Sequence, residues 1–186
     1  MLAAATRLFG ERGWSATGMR DVAREAGVSV ETVYAGFRSK SDLLMAAIDV
    51  AVVGDAEPVP LDQRSMFAAL GQGDGEQRLR AAARMVTGIH RRTAGVNHAL
   101  REAAASDPDL DRLMREREEA RRRNVEQGMG LVTGRPVTAR EADALWAVLD
   151  ITVYRLLTSL RGWTDGQYEE WAADAIDRLL DDDRRG

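Results

Sequence analysis

Apolar residues recur three and four positions apart along almost the whole of this 186-residue chain, while period-two runs bounded by turns are hard to find. That spacing gathers apolar side chains on one face of a helix and leaves little room for strands. The four prolines, at positions 58, 60, 108 and 136, all fall between the periodic segments. Proline lacks an amide donor and disfavours helix in the residue before it, so each marks a helix boundary. The expected fold class is all-α.

The first segment runs from about Leu2 to Arg12 and stops at Gly13. Thr17 is expected to N-cap a short helix carrying Met19, Val22, Ala23 and Ala26. Gly27 breaks that helix, and Ser29 caps the next, through Val33, Tyr34 and Phe37. Ser39 with Asp42 has capping-box spacing and opens a longer helix that Gly54 ends. Residues 55–60 read as a linker, with a weak helix over 61–70. The glycines of 71–75 form a loop, since they lack the spacing and the preceding strand of a phosphate cradle.

Further along, the pattern predicts a helix from Glu76 to about Thr93, a short one to about Ala105, and another from Pro108 to about Gln127. In the last of these Glu118–Arg122 and Glu119–Arg123 stand four apart with the signs interleaved, which is the pattern of a solvated face rather than a nucleic-acid patch. Thr138 with Glu141, and Thr164 with Gln167, open two C-terminal helices. The first carries a stripe from Ala142 to Leu160, with Val148 and Ile151 on a second side; the second carries Tyr168, Trp171, Ala172, Ala175, Ile176, Leu179 and Leu180. Helices apolar on more than one side need burial on more than one side, and in a chain this short a second copy is expected to supply part of it.

Composition narrows the function. Lys plus Arg number 26 against 30 Asp plus Glu, a net charge of −4, so any nucleic-acid contact has to come from a local basic surface. All but one of the basic residues are Arg; the single lysine is Lys40. Without cysteine there is no disulfide, thiolate nucleophile or thiolate metal site. His90 and His98 are expected to be hydrogen-bonded or exposed rather than metal ligands, because no further ligand is spaced to join them. No nucleophile motif is present, so neither an enzyme nor a cofactor is expected. No apolar run approaches the roughly 20 residues of a membrane span, and no signal-peptide pattern opens the chain, so a cytoplasmic protein without a membrane partner is expected.

Residues 17–40 (TGMRDVAREAGVSVETVYAGFRSK) have the pattern of a helix-turn-helix: one helix supports a second across a tight turn at Gly27, leaving the polar side of the second free to enter a major groove. Val22, Ala23, Val28, Val33 and Phe37 are the expected apolar support, and Val30, Glu31, Thr32 and Tyr34 the surface. The stretch from Leu2 to Ile48 resembles the DNA-binding domain of the TetR/AcrR family of transcriptional regulators. It does so through Ala4-Ala5, Leu8-Phe9, Arg12-Gly13-Trp14, Thr17, Asp21-Val22-Ala23, Ala26-Gly27-Val28-Ser29, Thr32-Val33-Tyr34, Phe37, Ser39-Lys40 and Leu43-Leu44. The C-terminal helix pair, with Arg161-Gly162-Trp163 between its members, is similar to that family's dimerising helices.

The resemblance implies a role for each matching residue. Thr17 would bind a DNA phosphate through its hydroxyl and the adjacent amides, Tyr34 through its phenol and Lys40 through its charge. Ser29, Val30, Glu31 and Thr32 would face base edges or the adjoining backbone, with Arg20 nearby. Glu31 is compatible with that surface if it accepts from a cytosine amino group. The family usually carries several residues, often basic, ahead of the first helix, whereas this sequence begins inside it. Residues 1–48 hold six basic and five acidic side chains, so modest non-specific affinity is expected.

The implied architecture is a reader over 1–54, with its motif at about 18–37, and a ligand-binding and dimerisation domain over 61–186. Leu149, Val153, Leu156, Leu160, Trp171, Ala175, Ile176 and Leu179 are expected to pair two copies, and Met85, Ile89, His90, Met114, Trp146, Asp150 and Tyr154 to line an effector pocket. The implied partners are a double-stranded, pseudo-palindromic operator, a second copy of the chain and a small-molecule effector of unknown identity that relieves repression. The alternative is a helical dimeric ligand-binding or adaptor protein without operator binding.

Overall fold

The computed structural model describes residues 1–57 and 59–181; Pro58 of the expected linker and residues 182–186 of the expected C-terminal domain lie outside them. Among the described residues ten α-helices follow one another: α1 Leu2–Arg12, α2 Met19–Ala26, α3 Val30–Gly36, α4 Lys40–Val53, α5 Ser65–Ala68, α6 Gly75–Ala104, α7 Pro108–Thr133, α8 Ala139–Val148, α9 Ile151–Arg155 and α10 Asp165–Asp181. Short 3-10 turns flank α5, and a π-helical turn, Leu156–Leu160, continues α9. The described residues include no strand. By contact they divide into two units: 1–57 with 92–117, and the described part of 58–91 with 118–186.

In the first unit α1 packs on α2 and α4, and α2 on α3. Leu8 and Phe9 of α1, Val22 and Ala23 of α2, Val33 of α3 and Leu43, Leu44 and Ile48 of α4 are buried together. Val96, Ala99, Leu100 and Ala103 of α6 and Leu110 of α7 complete this core. Arg92 closes α4 from outside, its guanidinium donating to the carbonyls of Ala51 at 2.9 Å and Val52 at 2.8 Å. Arg117 meets Asp49. In the second unit Tyr168, Ala172, Ile176 and Leu180, each four residues on, bury one face of α10, and α8 packs against that helix.

Four boundaries differ from the sequence expectation. Two helices were expected over 76–105, and one runs from Gly75 to Ala104 straight through Gly95. That glycine provides a close approach instead of a break: a Cβ on it would lie 2.5 Å from the Gly10 Cα of α1. Similarly α7 continues past Gln127 through Gly128 and Gly130, stopping only where Gly134 takes a left-handed φ of 69°. The long helix expected after Thr138 is broken at Leu149, because the Asp150 carboxylate accepts from the Thr152 amide at 2.7 Å and caps a new start. Finally, Gly18 rather than Thr17 is the N-cap of α2. The charges of α7 also pair differently: Arg122 bonds Asp143 and Glu126, and Arg121 bonds Glu118 and Asp150.

The glycine crossing generates an asymmetric prediction. Gly95→Ala must push α1 away and is expected to cost about 1–3 kcal/mol, the usual range for overpacking. Gly10→Ala meets the Gly95 Cα at 3.7 Å, ordinary contact, and is expected to be neutral or to stabilise by up to about 1 kcal/mol through helix propensity. Urea unfolding of the two variants checks both.

Candidate nucleic-acid interface

The turn between α2 and α3 follows from Gly27. Its φ of 65° lets the Val28 amide reach back to the Ala23 carbonyl and its own amide to Arg24, so the last carbonyls of α2 are satisfied while the chain reverses. Ser29 then starts α3, its hydroxyl accepting from the Thr32 amide at 3.1 Å and lying 3.0 Å from the Thr32 hydroxyl. Val33 is buried beneath. Within seven residues α3 therefore turns one side to the core and exposes Glu31, Thr32 and Tyr34 along the other.

Tyr34 stands clear of the core with 54% of its surface exposed. Ser29 and Arg20 are exposed as well, whereas Val30 is half-buried against the core. Val28, expected among the supporting residues, is 37% exposed; the reversal at Gly27 turns it outward. The Glu31 carboxylate is held below its ordinary pKa by its own backbone amide and the Ser29 hydroxyl, so it stays anionic at the start of the helix.

Two residues that the resemblance assigned to phosphate are engaged inside the domain. Thr17 is only 1% exposed, and its hydroxyl donates to the Leu8 carbonyl of α1 at 3.1 Å. Lys40 lies 4.0 Å over the centre of the Trp14 ring and donates to the Trp14 carbonyl. Burial pulls its pKa below the ordinary lysine value, against the opposing pull of Glu102 and Asp21.

Sequence reasoning missed Glu102 altogether. From α6 its carboxylate accepts from the Ser15 hydroxyl and from the amides of Ser15 and Trp14, pinning the segment that joins α1 to α2. Those bonds, the Ser15 hydroxyl first, hold its pKa below the usual carboxylate value. The contact spans 88 positions from Trp14, and no local pattern announces it.

In the second unit, four of the expected effector-pocket residues fall into one polar and aromatic cluster. His90 lies with Nδ1 3.1 Å from the Tyr168 hydroxyl and also bonds the Leu149 carbonyl. Its ring meets Tyr154, whose hydroxyl donates to Asp165 at 2.7 Å. Arg121 donates to Asp150 and the Trp146 carbonyl, and the Trp146 indole donates to Glu118. Met85 and Ile89 are half-buried on α6. Met114 is the exception: it packs against the core of the first unit, because the start of α7 belongs there. His98 is exposed. Of the expected pairing residues, Leu149 and Ile176 are taken up in this chain's own core, whereas Leu156 and Leu160 are 49% and 72% exposed and Val153, Trp171, Ala175 and Leu179 half-buried.

A short helix with a polar outer face, fixed to a preceding helix by a glycine turn, defines a helix-turn-helix reader of duplex DNA. Residues 1–47 match the sequence model of the bacterial regulatory proteins of the tetR family. Residues 1–47 therefore carry the sequence pattern of that family's DNA-binding domain, in the helix-turn-helix fold described above. No curated protein matches it. Among solved structures it is similar to a transcriptional regulator from Rhodococcus sp. Rha1, at 22% identity and a TM-score of 0.65 over 96% of this chain and 93% of that one. A TetR-family member from Streptomyces coelicolor A3 is 24% identical, with a TM-score of 0.65 over 96% and 95%. The multidrug binding protein EbrR complexed with ethidium is 25% identical, with a TM-score of 0.61 over 96% and 95%.

Two predictions follow from these contacts. Thr17→Val removes the donor to Leu8 and is expected to cost about 1 kcal/mol in urea unfolding, with Thr17→Ser retaining most of the stability. His90 is a pH-sensitive group between neutrality and pH 4. Burial, with Arg121 adding to it and Asp150 opposing, lowers its pKa from 6.5 to about 4. Between those values the unfolded chain binds a proton that the folded chain refuses. Stability is therefore full above pH 6.5 and falls as pH drops toward 4, by roughly 3 kcal/mol at most. Unfolding midpoints measured from pH 7 to pH 4 should show this slope, flattened in His90→Gln.

Proposed function

We propose that the protein is a ligand-responsive repressor that binds a pseudo-palindromic operator as a homodimer. Residues 1–54 act as the reader, with 61–186 binding the effector and pairing the two copies. The observation that carries the reading is the outward side of α3, where Glu31, Thr32 and Tyr34 project from a helix whose other side is buried. Tyr34 anchors on a phosphate, Ser29, Val30, Glu31 and Thr32 approach base edges or backbone, and Arg20 adds positive charge. Thr17 and Lys40 act by positioning, since one hydroxyl and one ammonium already bond the domain's own carbonyls.

Dimer formation is supported by Leu156 and Leu160, large apolar side chains left open on the π-helical turn, with Val153, Trp171, Ala175 and Leu179 as their half-buried companions. Two readers on one face of a duplex have to lie about 34–36 Å apart or a multiple of that distance, so pairing sets which operators are bound. EbrR, complexed with ethidium, supports a small-molecule effector, for which the His90, Trp146, Asp150 and Tyr154 group is the proposed wall, with Met85 and Ile89 adjoining. The effector shifts the population between dimers that fit the operator and dimers that do not.

Selection of binding sites from random duplex DNA, at two salt concentrations, tests the proposal. A palindromic consensus with affinity falling steeply with salt is expected. Tyr34→Ala should weaken binding to that consensus about tenfold, the size of one lost phosphate hydrogen bond, without changing the sedimentation of the dimer. Leu160→Glu should yield monomers that no longer bind the full site. A folded dimer that recovers no consensus would overturn the reading.

A further inference from the structure

Outside the cluster around His90, the second unit carries a groove of about 630 Å³, within the range of small-molecule sites. It lies where the first turns of α6, the last turns of α7 and the segment after α7 come together. Leu131, Pro136 and Val137 give it an apolar side, and Arg78, Arg135 and Glu126 its charges. Gly71, Gly130 and Gly134 leave its walls without side chains. None of the residues proposed for the effector wall takes part.

The charges are not equivalent. Arg135 is satisfied: it donates to both oxygens of Glu141 at 2.6 and 3.1 Å, and to the carbonyls of Pro136 and Leu180. Glu126 accepts from Arg122 at 3.0 Å. Arg78 differs, because its Nε is buried from solvent and has no hydrogen-bond partner. A buried donor on a charged group without an acceptor is costly, and it marks a place where an acceptor from outside the chain gains most. Among the described residues of this groove, the Arg78 Nε is the buried side-chain donor left without an acceptor.

We propose that the groove binds a monoanionic amphipathic small molecule, an alkyl or aryl carboxylate, with its carboxylate on Arg78 and its hydrocarbon along Leu131, Pro136 and Val137. The Nε edge of a guanidinium presents two parallel N–H groups, which match the two oxygens of a carboxylate after a change of the Arg78 rotamer. An inorganic anion would use the charge and waste the apolar side; a neutral amphiphile would leave Nε without its acceptor. This site does not depend on operator binding, and it is tested without DNA.

The test is titration calorimetry of the full chain with octanoate, beside acetate and octanamide as probes that lack the tail or the charge. One octanoate per chain is expected, with acetate and octanamide each at least tenfold weaker. Arg78→Gln keeps the stem and removes the charge, and should weaken octanoate at least tenfold with the thermal unfolding temperature unchanged. Should that variant fail to fold, Leu131→Glu at the exposed edge of the groove is expected to produce the same loss by repulsion. Absence of saturable binding to the folded protein, octanamide binding as well as octanoate, or octanoate binding that survives these substitutions would overturn the assignment.

Discussion

The burial of Val33 is the interaction on which the reading surface depends, because α3 has only seven residues and a helix of that length does not persist alone in water. Val33 lies fully inside a core that draws on α1, α2, α4, α6 and α7. Removing one such side chain from water is worth roughly 1.5–3 kcal/mol, more than the propensity of so short a helix contributes. What α3 presents outward is thus what its neighbours do not bury, Glu31, Thr32 and Tyr34 among it. The first unit serves as a mount for that strip, and the Glu102 clamp on Trp14 and Ser15 and the carbonyl bonds of Arg92 fix the mount's own connections.

Within this mount, residues that look like ligand contacts in sequence have structural duties. Threonine at the start of a helix reads as a cap or a phosphate donor, and the hydroxyl of Thr17 instead ties α2's approach to the Leu8 carbonyl. A lone lysine beside a helix start reads as a point charge for DNA, and Lys40 instead covers the Trp14 ring. In both cases the partner is on α1 or just beyond it, brought near by the packing of the first unit. Tyr34, by contrast, stands clear of the core with its ring exposed.

The second unit shows the same economy with polarity. Asp150 breaks what reads as one long helix and takes up the free amide of Thr152, and Arg121 and the ring of His90 lie close enough to feel its charge. Neutral His90, with one nitrogen at the Tyr168 hydroxyl and a bond to the Leu149 carbonyl, is fully satisfied without charge. Burial, with Arg121 adding to it, lowers its pKa to about 4 although the Leu149 bond and Asp150 pull the other way. By contrast, the Arg78 guanidinium in the neighbouring groove keeps its Nε donor unmatched, and Leu156 and Leu160 stay open on the π-helical turn.

The all-α class, the bounds of α1, the turn at Gly27, the caps at Ser29, Ser39 and Thr138, and the helix-turn-helix itself were legible in the sequence. They rest on interactions between residues at most four apart, and local spacing encodes those. The fusion of two expected helices into α6, the extension of α7 through Gly128 and Gly130, and the break at Leu149 were not legible, because whether a glycine or an aspartate interrupts a helix depends on what packs or bonds there. The same holds for the site. The sequence placed Val30, Glu31, Thr32 and Tyr34 on the surface of α3; the last three are exposed, since the alternation with buried Val33 is local, while Val30 is half-buried against the core. Only the tertiary structure turned Thr17 inward, brought Glu102 to Trp14 and Lys40 over its ring, set Met114 against the first core and left the Arg78 Nε without an acceptor. Those outcomes join residues tens of positions apart, and a linear pattern carries no record of which distant atoms the folded chain brings within bonding distance.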